Sequence, residues 1–201
     1  MAGKFIVFEG LDGSGLTTQA TMLKNYLLAK NKKVALTKEP TDGLIGGIIK
    51  ARLRSEWKTS SKVLQMLFAA DRAHHVENQI EPALRSGKTV ICDRYILSTL
   101  AFGVIDVPLK MLNQLNSSFR KPNMTFIIDT QPKICIERIK KSRPQIEIYE
   151  EENKLQQIRR NYKSLKNYFP DTYVIDGNRD VNKVFEDVQK IITKNMLRPR
   201  W

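Results

Sequence analysis

The sequence predicts an α/β protein, a five-stranded parallel sheet flanked by helices. Three observations carry that prediction. Short apolar runs, too short for helices, recur at residues 5–8, 33–37, 89–92, 125–128 and 173–175, as buried parallel strands do. Between them lie longer stretches whose apolar residues return three and four positions apart, the helical period. The first run also stops abruptly in Gly10-Leu11-Asp12-Gly13-Ser14-Gly15, and a helical pattern starts directly after it.

Phe5-Ile6-Val7-Phe8 is the first strand, and Thr17, Thr18, Leu23, Tyr26 and Leu27 mark the helix that follows. Glycines between a strand and a helix let successive backbone N–H groups converge on an anion, and the helix N-terminus adds partial positive charge. The phosphate-loop pattern G-x-x-x-x-G-K-[ST] is met at Gly10, Gly15 and Thr17 and broken at Leu16, where a lysine belongs. The expected phosphate cradle is Gly10, Leu11, Asp12, Gly13, Ser14, Gly15, Leu16, Thr17 and Thr18. Its backbone does not depend on residue 16, but the mobile charge expected on the β- and γ-phosphates is missing. Thr17 either offers a hydroxyl to a magnesium ion or serves the helix start.

Lys33-Val34-Ala35-Leu36-Thr37 reads as the second strand, with a Pro- and Gly-bearing loop from Lys38 to Gly43. Ile45, Ile48, Ile49 and Leu53 place a helix ending near residue 54, and a longer one follows over 61–84. Thr89-Val90-Ile91-Cys92 is the third strand, and Asp93-Arg94-Tyr95 stands at its end. Helices are expected over 97–103 and 109–119, then a fourth strand, Thr125-Phe126-Ile127-Ile128, ending in Asp129. Helix 133–141 is broken by Ser142-Arg143-Pro144, and a charged helix covers 150–168. Strand 173–175 and helix 181–195 complete the pattern; the tail 198–201 has no periodic partner. Because ligands bind at the C-terminal ends of parallel strands, the topology is expected to bring residues 10–17, Glu39, Asp93, Arg94 and Asp129 to one edge. There Asp93 would support a magnesium ion and Arg94 would clamp a phosphate, or the two would form a buried pair holding two loops.

At 201 residues the chain is expected to be one domain with a substantial core. A net charge of +13 suits polyanionic partners, but no run of five Lys or Arg occurs, so no nucleic-acid arm is indicated and most of the charge reads as a solvated surface. Cys92 and Cys135 sit in apolar runs and read as core residues of a reducing compartment. No signal peptide and no run of eighteen apolar residues is seen, so a cytoplasmic protein without a membrane span is expected.

Several motifs, in order and at similar spacing, resemble the thymidylate kinases. They are Glu9-Gly10-Leu11-Asp12-Gly13-Ser14-Gly15 with Thr17-Thr18, Glu39-Pro40-Thr41, Leu67-Phe68-Ala69-Ala70-Asp71-Arg72, and Asp93-Arg94-Tyr95 followed by Ser98 and Ala101-Phe102. The resemblance runs on to Glu150 and Tyr162. It implies a P-loop nucleoside monophosphate kinase fold, a lid at about 142–149, and transfer of the γ-phosphoryl of ATP to dTMP with Mg²⁺ held by Thr17 and Asp93. It further implies that Phe68 stacks on thymine, Arg72 bonds the base's carbonyl edge, Arg94 holds the monophosphate, and Asp12 contacts the sugar and lies near the acceptor phosphate. Thr99 would face the base or sugar, and Glu39 would belong to the acceptor-phosphate loop. Phe102 stands where the family commonly has a tyrosine that excludes a 2′-hydroxyl. A homodimer is the family's usual state.

Two cations are missing from this pattern: Leu16 replaces the loop lysine, and Ile148 stands in place of the lid arginine. Arg138, Lys140, Lys141 and Arg143 are the local substitutes, with Arg143, beside Pro144, the preferred one. A kinase of broader acceptor range, taking dUMP or dGMP, and a nucleotide-binding protein that has lost catalysis are the alternatives.

Overall fold

A computed structural model describes residues 3–142 and 147–197. Its sheet comprises β1 (Phe5–Gly10), β2 (Val34–Lys38), β3 (Thr89–Asp93), β4 (Met124–Asp129) and β5 (Thr172–Asp176), in the spatial order β2-β3-β1-β4-β5. Every neighbouring pair is parallel. The helices are α1 (Leu16–Ala29), α2 (Leu44–Leu53), α3 (Ser61–His75), α4 (Glu81–Arg85), α5 (Ile96–Gly103), α6 (Leu109–Asn116), α7 (Pro132–Ser142), α8 (Glu152–Ser164) and α9 (Val181–Ile192).

The central strands carry continuous apolar runs because helices cover both faces. Phe5, Val7, Val90 and Cys92 pack with Leu97, Leu100 and Ile158 on one side. Ile6, Phe8, Ile91 and Phe126 pack with Leu23, Leu27, Val184 and Val188 on the other. Both cysteines are buried and free. From β1 the chain passes beyond β3 to reach β2, whereas from β3 it returns past β1 to β4. The two connections diverge and leave a crevice at the C-terminal ends of β1 and β3, where the glycine loop and Asp93-Arg94 emerge.

The element boundaries depart from the sequence pattern where local chemistry intervenes. The expected helix 61–84 is α3 and α4 joined by a π-helical turn over Val76–Ile80, in which the Glu81 N–H donates to the Val76 carbonyl. Pro82 cannot donate to the turn before it, so the wider turn sits where the regular ladder would fail. Helix α8 stops at Ser164 instead of 168, and the chain turns so that Phe169 enters the core. Among the described residues, no helix is long and apolar enough to cross a membrane.

Candidate active site

The glycine turn is shaped by close approach. Gly10 has φ +154°, and a Cβ there would lie 2.7 Å from the Ile128 carbonyl oxygen. Gly13 has φ +76°, and its Cβ would lie 2.5 Å from the Cys135 carbonyl oxygen, so the lack of a side chain lets α7 rest on the loop. Helix α1 opens on Gly15 with no side-chain cap and no acidic residue in its first turn. The Gln19 N–H donates to the Gly15 carbonyl at 3.0 Å, so the amides of Leu16, Thr17 and Thr18 precede that helical bond and face the turn's mouth. Ser14 Oγ in the same loop is buried without a partner among the described residues. Open amides, an orphaned hydroxyl and a helix N-terminus fit a phosphate group.

Leu16 is not simply a lysine removed. Its side chain is 5% exposed and belongs to the core layer of Ile6, Phe8 and Ala20. It contributes to packing beneath the loop, so only its backbone remains a candidate for the cradle.

Beside the loop, the Thr17 hydroxyl donates to Asp93 Oδ2 at 2.5 Å. Burial raises the Asp93 carboxyl above its ordinary range, against the lowering effect of Arg94 and Thr17. A hydroxyl and a carboxylate are hard oxygen donors of the kind Mg²⁺ takes, and a cation would favour the charged carboxylate. Arg94 follows in a left-handed conformation, φ 70°, which a non-glycine residue adopts at a cost of roughly 1–3 kcal/mol. Its Nη1 donates to the Gly10 carbonyl at 2.8 Å and to Ser98 Oγ at 3.2 Å, and its Nη2 to Asp12 Oδ1 at 2.8 Å. The guanidinium also lies 5.3 Å from the Phe102 ring centre. Beneath it, Glu9 accepts from the Tyr95 N–H at 3.0 Å and from the Ser98 hydroxyl at 2.5 Å, and burial pushes its carboxyl up to about 7.

Farther along the cleft, Arg72 is 1% exposed and surrounded by acceptors. Its Nε donates to Glu39 Oε2 at 2.9 Å and its Nη2 approaches the same oxygen at 2.8 Å. Nη2 also donates to Thr99 Oγ1 at 3.0 Å, and Nη1 to Asn116 Oδ1. Each guanidinium nitrogen therefore has one hydrogen-bond acceptor among the described residues, three of the five hydrogens in all, and Arg72 lines the cleft with donors left for a ligand. The ring of Tyr95 lies under the guanidinium, 5.0 Å away.

One cleft of about 480 Å³ is lined by Asp12 and Thr17 of the cradle together with Glu39, Phe68, Arg72, Asp93, Arg94, Thr99 and Phe102, the other site side chains singled out from sequence apart from Arg143. Arg143 lies outside the described residues. Glu39 reaches the cleft, but its carboxylate is turned inward to Arg72 and His75 and not toward a phosphate. Asp129 does not line the cleft and is bound by Arg159 and Lys163, which outweigh burial and hold its carboxyl low. Ile148 packs against the core, with its N–H 3.3 Å from the Leu53 carbonyl, and Tyr149 meets Phe102 edge-on at 5.4 Å. Arg138 lies over the glycine loop, with Nη1 at 3.4 Å from the carbonyls of Gly13 and Ser14. Sequence reasoning missed Gln65, Ser98 and Tyr149 as lining residues and His75 and Asn116 as partners of the cleft. For His75 a signal existed, three positions after Arg72 and so on the same side of α3.

A thymidylate kinase family model matches residues 8–188. The chain is 36% identical over 203 residues to a protein described as a probable thymidylate kinase from Pyrococcus horikoshii, covering 98% of this chain and 99% of the relative. It is likewise 36% identical over 199 residues to a thymidylate kinase from Caldicellulosiruptor saccharolyticus, covering 96% and 97%. With the family model spanning most of the sequence and the sheet order, glycine cradle and Arg72–Arg94 cleft in place, this chain belongs to the thymidylate kinase family.

Proposed function

We propose that the chain transfers the γ-phosphoryl group of ATP to dTMP, giving dTDP and ADP. The observation that carries this is one cleft joining an open phosphate cradle to a buried arginine with donors to spare. Arg72 would give one of them to a carbonyl of thymine, while Phe68 offers its ring to the base. Arg94, released from part of its contact with Asp12, would hold the acceptor phosphate in line with the loop. Mg²⁺ on Thr17 and Asp93 would supply charge neutralisation across the phosphate oxygens. No protein nucleophile is required.

With Leu16 in the core and Ile148 packed away, we assign the cation for the transferring phosphoryl to α7 or its exit, with Lys38, Lys50 and Arg54 also lining the cleft. Arg138 already rests on the loop, and Arg143 begins the lid segment at about 142–149. We read the chain as one cytoplasmic domain. Exposed Leu44 and Ile48 on α2, beside exposed Val63 and Met66 on the adjoining α3, support a homodimer through that face. Coupled ADP release with dTMP, dUMP and dGMP as alternative acceptors tests the reading. Turnover that is highest with dTMP is expected. Equal use of all three would favour the broader kinase, and nucleotide binding without ADP release would favour the inert binder.

A further inference from the structure

We propose that His75 is a positioning residue for acceptor-base recognition, acting through Glu39 on Arg72, with Thr37 fixing its ring. This rests on the reading that Arg72 meets the base. His75 is fully buried, one helical turn after Arg72 on α3. Its Nδ1 lies 2.9 Å from Glu39 Oε1, and its Nε2 lies 2.6 Å from Thr37 Oγ1 at the end of β2. Glu39 already accepts from Arg72 through Oε2, and a carboxylate has no hydrogen to offer, so the ring hydrogen must sit on Nδ1 and point at Oε1. The Thr37 hydroxyl then gives its one hydrogen to Nε2 at 2.6 Å in preference to Gln79 Oε1, which lies farther off at 3.4 Å. The tautomer with its hydrogen on Nδ1 satisfies both contacts, and a chain runs from Thr37 through His75 and Glu39 to Arg72 and Thr99.

The chain has a clear mechanical consequence. Glu39 comes from a loop, and a carboxylate held by one arginine alone can rotate or slide to the other guanidinium edge. With Oε1 pinned by His75, Oε2 stays on the Nε and Nη2 edge of Arg72, and Nη1 stays clear of the carboxylate. Glu39, His75 and Cys92 also offer metal-ligand atoms within 4.8 Å of one another. Those atoms are already engaged: Nδ1 with Glu39, and Cys92 Sγ as a donor to the Arg94 carbonyl at 3.0 Å. A cation there would also face the Arg72 guanidinium, so orientation and not metal binding is the function these contacts fit.

Steady-state kinetics with dTMP and ATP varied separately test this. His75→Leu should raise KM for dTMP about tenfold while kcat and KM for ATP stay within about twofold, the pattern of lost acceptor binding. His75→Asn, whose side-chain amide can stand near Nδ1 and donate to Glu39, should recover most of that loss. Thr37→Val should raise KM for dTMP about threefold, because only the ring's second anchor is removed. In an Arg72→Ala background, His75→Leu should add nothing further. The proposal is overturned if His75→Leu lowers kcat as much as it raises KM, if its effect multiplies that of Arg72→Ala, or if Thr37→Val leaves KM for dTMP unchanged. Should a thermal melt show His75→Leu unfolded, Thr37→Val decides alone on the same criterion. Arg72→Ala with an unchanged KM for dTMP would instead overturn the reading of Arg72 on which the proposal stands.

Discussion

The two ends of the cleft are built on opposite terms. At the base end, Arg72 is buried among Glu39, Thr99 and Asn116, with His75 and Thr37 behind them, and each guanidinium nitrogen has an acceptor. At the phosphate end, the first amides of α1 have no cap, Ser14 Oγ is buried without a partner among the described residues, and Arg94 is held in left-handed backbone by borrowed contacts to Gly10 and Asp12. A neutral base offers few strong contacts, so the protein must fix its own donor in advance. A polyphosphate brings its own charge and acceptors, so the protein can leave groups open for it. On the proposed reading, the difference teaches that the base end is organised before binding and the phosphate end is completed by the ligand.

Arg94 offers the hardest way to break that picture, since it connects the two ends. Arg94→Ala should lower kcat/KM for dTMP by about a hundredfold to a thousandfold, the scale of a charge-assisted contact to a reacting group. A loss below tenfold would mean that Arg94 mainly pairs with Asp12. The α7 cations come next. Whichever of Arg138 and Arg143 serves the transferring phosphoryl should, as alanine, cost about tenfold to a thousandfold in kcat with little change in ATP binding. Single-turnover rates of the two variants separate them, and normal rates for both would send the search to Lys140 and Lys141. Leu16→Lys is not a simple restoration. It removes a buried leucine from beneath the loop and should cost about 2–3 kcal/mol of stability, read as a lower denaturation midpoint.

Phe102 sharpens the border between the two ends. Its ring meets Tyr149 and Tyr162 edge-on and lies under Arg94. Phe102→Ala should raise the kcat/KM ratio of 5-methyluridine monophosphate to dTMP about fivefold to a hundredfold, roughly the 1–3 kcal/mol span of pocket-filling discrimination. An unchanged ratio would place the ring away from the sugar.

A last effect concerns Glu9, beneath Arg94, and falls on stability instead of turnover. Burial lifts its carboxyl from 4.5 to about 7, so between those pH values the folded chain holds a proton that the unfolded chain releases. Stability should therefore fall as pH rises through that window, by about 3 kcal/mol at most, and Glu9→Gln should flatten this component. Denaturation midpoints of the two proteins across the window give the difference, and parallel curves would contradict it.

Much of this architecture was legible in the sequence, for physical reasons that also mark the limits. Buried parallel strands leave continuous apolar runs, and phosphate turns leave glycines, so β1, β3, β4 and the cradle could be placed directly. Phe68 and Arg72 were found through the motif that carries them. The inward turn of Glu39 was not visible, because its partners His75 and Arg72 lie more than thirty residues away and obey no period. Leu16 was read as a missing charge, and only the packed structure shows it as a core residue, since a strand-turn-helix pattern does not fix where its first side chain points. The π-helical turn at Val76–Ile80 was implicit in Pro82 but masked by the continuing apolar stripe.

The central claim, that the base end is organised before any phosphate donor arrives, is tested most directly by calorimetric titration of dTMP without ATP or Mg²⁺. Wild-type protein should bind dTMP under these conditions, and Arg72→Ala should weaken that binding by about 2–3 kcal/mol, the scale of a hydrogen bond to a charged group plus an unpaired base edge. ATP affinity should be unchanged in the variant. Binding of dTMP only when ATP and Mg²⁺ are present, or equal affinity in the two proteins, would contradict the account.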